Sequence, residues 1–369
     1  MTAASLDSDR EQQLVSLART LVDQQAARVI VAARKPATGF WFGGGNMISE
    51  DGVLYLVGRY RNEGDSRTGL GLGDRGLELA IFRSIDLGQS FHQAFSFSKA
   101  DLAPNGHTVV SIEGSALLRT STGIELYVSS EKSSIAYPGS FQTYQKPDTG
   151  VWSIDRLQAS SFETLPSCKC REVLHSIDPE YLHVKDPWIH RRPSGRVDLG
   201  FCSHPFNWTS SNMAVCTLDD RGNLGDPNYR VFPRGTTWDV AMSRGTCVLD
   251  VPRVGRFRDQ QVSLLFYDGG ECVRKLDEHA SAVKRPRGYS CEELGGLAYM
   301  MNYQWDSVQR LSRYAPLLVS PWGTGCSRYV SVLSTDDGMY ATWQQSQADY
   351  SQPLVMHFVK RQTIEAVLS

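Results

Sequence analysis

The stretch HVKDPWIHRRPSGRVDLGFCSH, residues 183–204, decides how the rest of the chain is read. Two runs rich in apolar and aromatic residues flank Pro193-Ser194-Gly195, a turn signal, so the segment predicts two short strands joined by a hairpin. Asp186 stands with Pro187 at the mouth of the first strand. There it either caps a turn or is presented to a ligand.

Four other segments repeat this pattern. They are MISEDGVLYLVGRY, SALLRTSTGIELYVSSE, VLDVPRVGRFRDQQVSLLFYD and LVSPWGTGCSRYVSVLSTD. Their second strands are expected to begin near Val53, Ile124, Val197, Val262 and Tyr329, at intervals of 71, 73, 65 and 67 residues. A third short strand is read in GLELAIFRS, TGVWSIDRL, SNMAVCTLD, GGLAYMMNY and GMYATWQQS. Three or four strands per unit, five units and little helical periodicity predict an all-β chain, a five-bladed β-propeller. The first residues differ. Leu14, Leu17, Leu21 and Val22 recur at helical spacing, which predicts an amphipathic helix over 8–28 on the outside of the ring, capping an open edge. The expected division is a helical extension over 1–36 and the propeller over 37–369.

Composition bounds the function. A net charge of -2 lacks the basic excess of a nucleic-acid groove. No apolar run reaches the ~18 residues of a membrane span. The acidic N-terminal stretch does not read as a signal peptide, so a cytoplasmic location is expected. The eight cysteines are scattered without a CxxC pair, which predicts reduced, mostly buried thiols and no zinc site. His183, His190 and His204 lie close in sequence, but strand alternation sends His183 and Asp186 to opposite faces, so no metal ligands are assigned.

In a propeller the innermost strand of each blade lines a central funnel, and ligands bind where those strands start. The polar residues there are Asn46, Glu113, Asp186 and Asp239 with Arg244 close behind; for the fifth blade Arg313 or Trp322 competes. Recurrence in register favours Asp186 as a funnel residue over a turn cap.

SIDLGQSF places Ser84, Asp86, Gly88 and Phe91 in a pattern that resembles the Asp box of sialidase-like propellers, a hairpin motif without a catalytic role. The blade starts VKDPWIHRRPSGRVDLGF and IEGSALLRTSTGIELYVSSE resemble those of the five-bladed propeller glycosidases, glycoside hydrolase families 43, 32 and 130. The first blade, NMISEDGVLYLVGRYRN with LELAIFRSIDLGQSF, looks most like the mannoside phosphorylases of family 130. Two departures stand out. Asn46 falls where the hydrolases place an acid, and Glu113-Gly114 falls where the phosphorylases show Glu-Asp-Pro-Arg.

The resemblance implies cleavage of a glycosidic bond in an oligosaccharide or glycoside, by hydrolysis or phosphorolysis. That chemistry needs facing carboxyls, one protonated and one ionised. Glu113 is the candidate acid, Asp186 its charged partner and Asp239 a base. A funnel acid of this kind contributes chemistry and not packing, so Glu113→Gln is expected to leave the melting temperature nearly unchanged. Trp41 and Trp188 are candidate sugar platforms. Arg59, Arg61 and Arg67 supply guanidinium groups suited to a phosphate or an anionic sugar, on a loop long enough to act as a lid. No organic cofactor is implied. Inorganic phosphate would be a co-substrate of a phosphorylase, and an ion in the channel, as in relatives, is left open. Two other readings compete: a non-catalytic propeller that binds a glycan or a protein, favoured by Asn46, and a sialidase-like enzyme in which Arg59, Arg244 and Arg313 would face a carboxylate.

Overall fold

The computed structural model describes residues 5–61, 76–144, 150–206, 210–219, 222–271 and 293–369. The chain opens with helix α1 (Ser8–Leu21) and strand β1 (Arg28–Val31). The first blade holds β2 (Trp41–Gly43), β3 (Met47–Glu50), β4 (Val53–Arg61), β5 (Glu78–Ser84) and β6 (His92–Ser98). The second holds β7 (Val109–Arg119), β8 (Ile124–Lys132), β9 (Val151–Ala159) and β10 (Arg171–Leu174). The third holds β11 (Leu182–Arg191), β12 (Val197–His204), β13 (Asn212–Leu218) and β14 (Asn228–Phe232). The fourth holds β15 (Met242–Asp250), β16 (Val262–Gly270), β17 (Leu294–Met301) and β18 (Gln309–Arg310). The fifth holds β19 (Ser327–Ser334), β20 (Gly338–Gln345) and β21 (Leu354–Lys360), followed by helix α2 (Arg361–Leu368). Neighbouring strands pair antiparallel within each of five sheets, the five-bladed propeller expected from the repeat.

The ring closes through its ends. β1 pairs antiparallel with β21, so the N-terminal segment is the outermost strand of the last blade. The 1–36 stretch therefore contains a propeller strand as well as a helix. This closure also corrects the fifth repeat. Tyr329 lies in the innermost strand β19, the second strand begins at Gly338, and GMYATWQQS is that second strand and not a third. The last blade takes its fourth strand from the other end of the chain, so its C-terminal portion carries three strands, and the repeat read there slips by one. The four earlier second strands begin at Val53, Ile124, Val197 and Val262.

Helix α1 is shorter than the 8–28 expected. Asp7 caps it by accepting from the Arg10 N–H, and it ends where the Val22 N–H returns to Ala18. Asp23 then accepts from Gln25 and Ala26 in a turn, and the β-branched run Val29-Ile30-Val31 goes into β1. Leu14, Leu17, Ala18 and Leu21 are fully buried in one cluster with Leu264 and Phe266 of β16, Trp343 of β20 and Leu368 of α2. The helix thus lies on the outside of the ring, on the seam between the fourth and fifth blades. Burial of each leucine stabilises by roughly 1.5–3 kcal/mol relative to exposure.

The Asp box forms the hairpin between β5 and β6. Ser84 Oγ donates to Asp86 at 2.6 Å and accepts from the Gly88 N–H at 2.9 Å, while Asp86 also accepts from Ser90 N and Oγ. These hydroxyl and amide donors hold the Asp86 carboxyl well below its usual range. Of the cysteines, Cys170, Cys202, Cys216, Cys247 and Cys326 are buried thiols and Cys168 is half-buried; Cys272 and Cys291 lie outside the described residues. No helix among the described residues is long and apolar enough to cross a membrane.

Candidate active site

The innermost strands do not run straight into the funnel. Register shifts interrupt β7 between Ile112 and Ser115, β11 between Lys185 and Trp188, β15 between Gly245 and Cys247, and β19 between Arg328 and Ser331. In the first blade the inner strand is broken outright into β2 and β3 by Gly44-Gly45-Asn46. Bulges re-aim side chains. Here they gather charged and polar groups from all five blades into one ring of contacts at the ends where the inner strands begin.

The ring can be followed blade by blade. Arg59, near the end of β4, donates through Nη2 to Glu113 Oε2 of β7 at 2.9 Å; the two side chains are 2% and 7% exposed. Ser111 Oγ donates to the other oxygen of Glu113 at 2.8 Å. The second blade meets the third where the Gly114 N–H donates to Asp186 Oδ1 at 3.1 Å. A side chain at 114 would overlap Asp186, its Cβ falling 2.7 Å from that oxygen. Asp186 has a left-handed backbone, φ 54°, and its N–H is held by Ser129 Oγ of β8 at 3.0 Å. The third and fourth blades meet where Arg244 Nε donates to Ser211 Oγ at 2.9 Å. Arg244 also binds Glu293, ahead of β17, at 2.8 Å, and Glu293 takes Arg328 of β19 on its other oxygen. Finally Tyr329 of β19 places its hydroxyl 3.4 Å from Arg59 Nη2, which returns to the start.

The charge states follow from this pairing. Burial disfavours the charge of Arg59, but Tyr329, Glu113 and Asp186 outweigh it and raise its pKa. Burial likewise works against Glu293, yet Arg328 and Arg244 pull its carboxyl down to about 2. Asp268, near the end of β16 and 1% exposed, goes the other way: burial and the charge of Glu293 raise its pKa well above the carboxylate range. The pKa values of these two neighbouring acids are thereby driven apart, Glu293 down and Asp268 up.

Of the residues selected from sequence, Glu113, Asp186, Arg59 and Arg244 belong to this ring. Arg61 and Trp41 adjoin it, but Trp41 is no open platform. It is 4% exposed, and the guanidinium carbons of Arg59, Arg328 and Arg61 lie 4.6, 4.8 and 5.7 Å from its ring.

Asn46 is a clamp between blades: its amide donates to the Leu117 carbonyl at 3.0 Å and accepts from the Leu117 N–H at 2.7 Å. Trp188 is core. Its ring covers Gly200 and packs near Trp305 between the third and fourth blades, bordering a cavity of about 210 Å³ that also touches Asn46 and Cys247. Asp239 lies inside the fourth blade, where Arg310 binds it at 2.7 Å and the Tyr267 hydroxyl donates to it at 3.0 Å. Neither partner belongs to the ring.

The fifth-blade candidates both fall elsewhere. Arg313 is exposed and reaches Glu11 of α1, and Trp322 is 38% exposed in the loop before β19. Arg328 and Tyr329 take that place, so the arginines that converge are Arg59, Arg244 and Arg328. Arg328, Tyr329, Asp268 and Glu293 were all missed. The slipped fifth repeat hid the first two, and the others stand at second- and third-strand ends, where funnel logic does not look. Arg67 and the proposed lid lie outside the described residues. Among the described residues no group of three or more His, Cys, Asp or Glu side chains is spaced to hold a metal ion.

No protein-family model matches the sequence, and no curated protein is similar to it. Solved structures are similar in fold. One described as a glycoside hydrolase superposes with a TM-score of 0.59 at 10% identity, covering 96% of both chains. The β-1,2-mannobiose phosphorylase of Listeria innocua, in complex with β-1,2-mannobiose, gives 0.55 at 13% identity over 93% of each chain. The GH43_1 enzyme of Xanthomonas citri complexed with xylose gives 0.51 at 11% identity, covering 96% of this chain and 93% of that one. The likeness is one of fold, a five-bladed propeller.

Proposed function

We propose that the chain cleaves a glycosidic bond at the funnel mouth, with inorganic phosphate as the attacking group. One observation carries this reading: Arg59 lies against Gly44, in the blade where an acid would otherwise activate water. A Cβ at position 44 would fall 2.1 Å from Arg59 Nη1, so the guanidinium fills the room a side chain there would need. Arg59 Nε and Nη1 are buried and donate to no protein atom. Unpartnered buried guanidinium N–H groups suit an oxyanion, to which each can donate a charge-assisted hydrogen bond. Phosphate also needs less help from a protein base than water does.

In this reading a phosphate oxygen bonds to the anomeric carbon, the bond from that carbon to the leaving oxygen breaks, and the leaving oxygen takes a proton from Glu113. A dianion on Arg59 competes for the guanidinium and puts negative charge beside Glu113, which favours the protonated carboxyl that this transfer requires. Asp186 orients the sugar. Asp239, enclosed by Arg310 and Tyr267, has no part in it.

The test is turnover of β-linked manno- and gluco-disaccharides with and without phosphate, scored by release of a sugar 1-phosphate. Arg59→Ala and Arg59→Lys should raise the half-saturating phosphate by tenfold to a hundredfold, the ~1.5–3 kcal/mol of a lost hydrogen bond to a charged group. Full activity in phosphate-free buffer would end this version. A second reading, a glycan-binding propeller without catalysis, is favoured by Gly44 and by the pairing of Glu113 with Arg59. Saturable glycan binding with no turnover in phosphate would establish it.

A further inference from the structure

Tyr329 carries an aromatic side chain in a conformation that glycine favours. Its φ is 54°, in the bulge that interrupts β19 between Arg328 and Ser331. A large residue stays in the left-handed region only when its surroundings over-determine it. What holds it comes from the neighbouring blade. Both carboxyl oxygens of Asp268, on β16, lie 3.1 Å from the Tyr329 N–H. The result is that the Tyr329 hydroxyl meets Arg59 Nη2 and its ring lies beside Arg328, with the guanidinium carbon 4.8 Å from the centroid.

The same device recurs two blades earlier. Asp186, also at φ 54° on an interrupted inner strand, has its N–H held by Ser129 of β8, the second strand of the preceding blade. In both places a second-strand side chain fixes the amide of a strained inner-strand residue in the next blade. The strained residue then points a functional group at the ring.

From this geometry we infer that Asp268 is a positioning residue for the anion end of the funnel: by gripping the Tyr329 amide it keeps the Tyr329 hydroxyl against Arg59 and so sets the Arg59–Glu113 pair. Asp268 does not touch the ligand. It is 1% exposed and acts through Tyr329. Its raised pKa, from burial and from Glu293, agrees with a role that needs an acceptor oxygen and no charge. In consequence asparagine should substitute for it and alanine should not.

The experiment compares Asp268→Ala and Asp268→Asn with the wild type, by crystal structure and by phosphate dependence. The alanine variant should let residue 329 leave the left-handed region and draw its hydroxyl away from Arg59. The asparagine variant should keep both in place. On the proposed phosphorolytic reading, on which this second measurement rests, Asp268→Ala should raise the half-saturating phosphate about tenfold with a much smaller change in kcat, and Asp268→Asn should recover most of that loss. Should Asp268→Ala misfold, Tyr329→Phe serves in its place, since it removes only the hydroxyl contact with Arg59 and should raise the phosphate requirement without moving the backbone. If Tyr329 keeps its conformation and its hydroxyl contact in Asp268→Ala, or if asparagine fails as badly as alanine, the inference is wrong. If the wild type shows no phosphate dependence, the functional reading fails while the crystal structures still decide the role of Asp268.

Discussion

The Arg59–Glu113 pair admits a quantitative test. Both side chains are buried, and the bridge joins the first blade to the second. Replacing Arg59 with Met takes the cation at 2.9 Å away from the Glu113 carboxylate in the interior. Breaking a buried pair by removing one partner costs about 3–5 kcal/mol. Replacing Glu113 with Gln leaves Arg59 without its carboxylate, though Tyr329 and the Trp41 ring remain beside it, so its cost should be smaller, about 1–3 kcal/mol. The sequence alone led to a melting temperature nearly unchanged in Glu113→Gln; the burial and pairing of Glu113 lead to a larger effect. The double variant Arg59→Met/Glu113→Gln leaves no charge stranded and should cost less than the two singles added, a coupling of ~1–3 kcal/mol. At about 2.1 cal/mol/K per residue, the unfolding entropy of this chain is about 0.8 kcal/mol/K, so the arginine single should lower Tm by about 4–6 °C. The assay is urea and thermal denaturation of all four proteins under identical conditions. Strict additivity of the two singles would refute the claim that these groups meet as an ion pair.

Two further predictions concern regions away from the funnel. Leu17→Ala on α1 empties a fully buried site between the fourth and fifth blades and should destabilise by about 2–5 kcal/mol in denaturant titration, with ligand binding unchanged. His190 of β11 lies 3.3 Å from Asp250 of β15 and 3.8 Å from Asp198 of β12, with Arg192 also on Asp198; despite burial, the two carboxylates raise its pKa. Its contribution is therefore complete below the unfolded value, about 6.5, and is lost as pH rises through the folded one. Tm should fall as pH is raised through that interval, and His190→Gln should flatten the profile.

Local chemistry made much of the fold legible. Gly-bounded alternating strands recur at blade-sized spacing, and four of the five second strands start where the pattern placed them. What failed is what the ring closure decides. Nothing local in Arg28-Val29-Ile30-Val31 says that it pairs with residues more than three hundred positions away, and without that knowledge β19 passes for a second strand. The site was legible to the same extent. Glu113, Asp186 and Arg244 stand in the first halves of inner strands and Arg59 near the end of a second strand, positions that a propeller turns inward. Trp188 and Asp239 look the same in sequence, but their positions are set by packing across sheets: Gly200 leaves a slot for the indole, and Arg310 reaches from β18 to take the carboxylate. A buried acid with an arginine beside it in space need not have one beside it in sequence.

The pairing also sets an order of events for the proposed reaction. Three acids of the ring already have partners: Glu113 has Arg59 and Ser111, Glu293 has Arg244 and Arg328, and Asp186 accepts from Gly114. A neutral sugar entering first would find these acids already paired, with Glu113 held by the guanidinium. An oxyanion entering first meets the unpartnered N–H groups of Arg59, weakens that hold, and adds the negative charge that favours a protonated Glu113. Phosphate should therefore bind before the glycoside. The glycoside affinity should rise when phosphate is present, and by linkage the phosphate affinity should rise by the same factor when the glycoside is present. Calorimetric titration of each ligand with and without the other measures both factors. Unequal factors would show that the ligands do not form one ternary complex at equilibrium. Equal factors of one would show that Arg59 and Glu113 do not communicate.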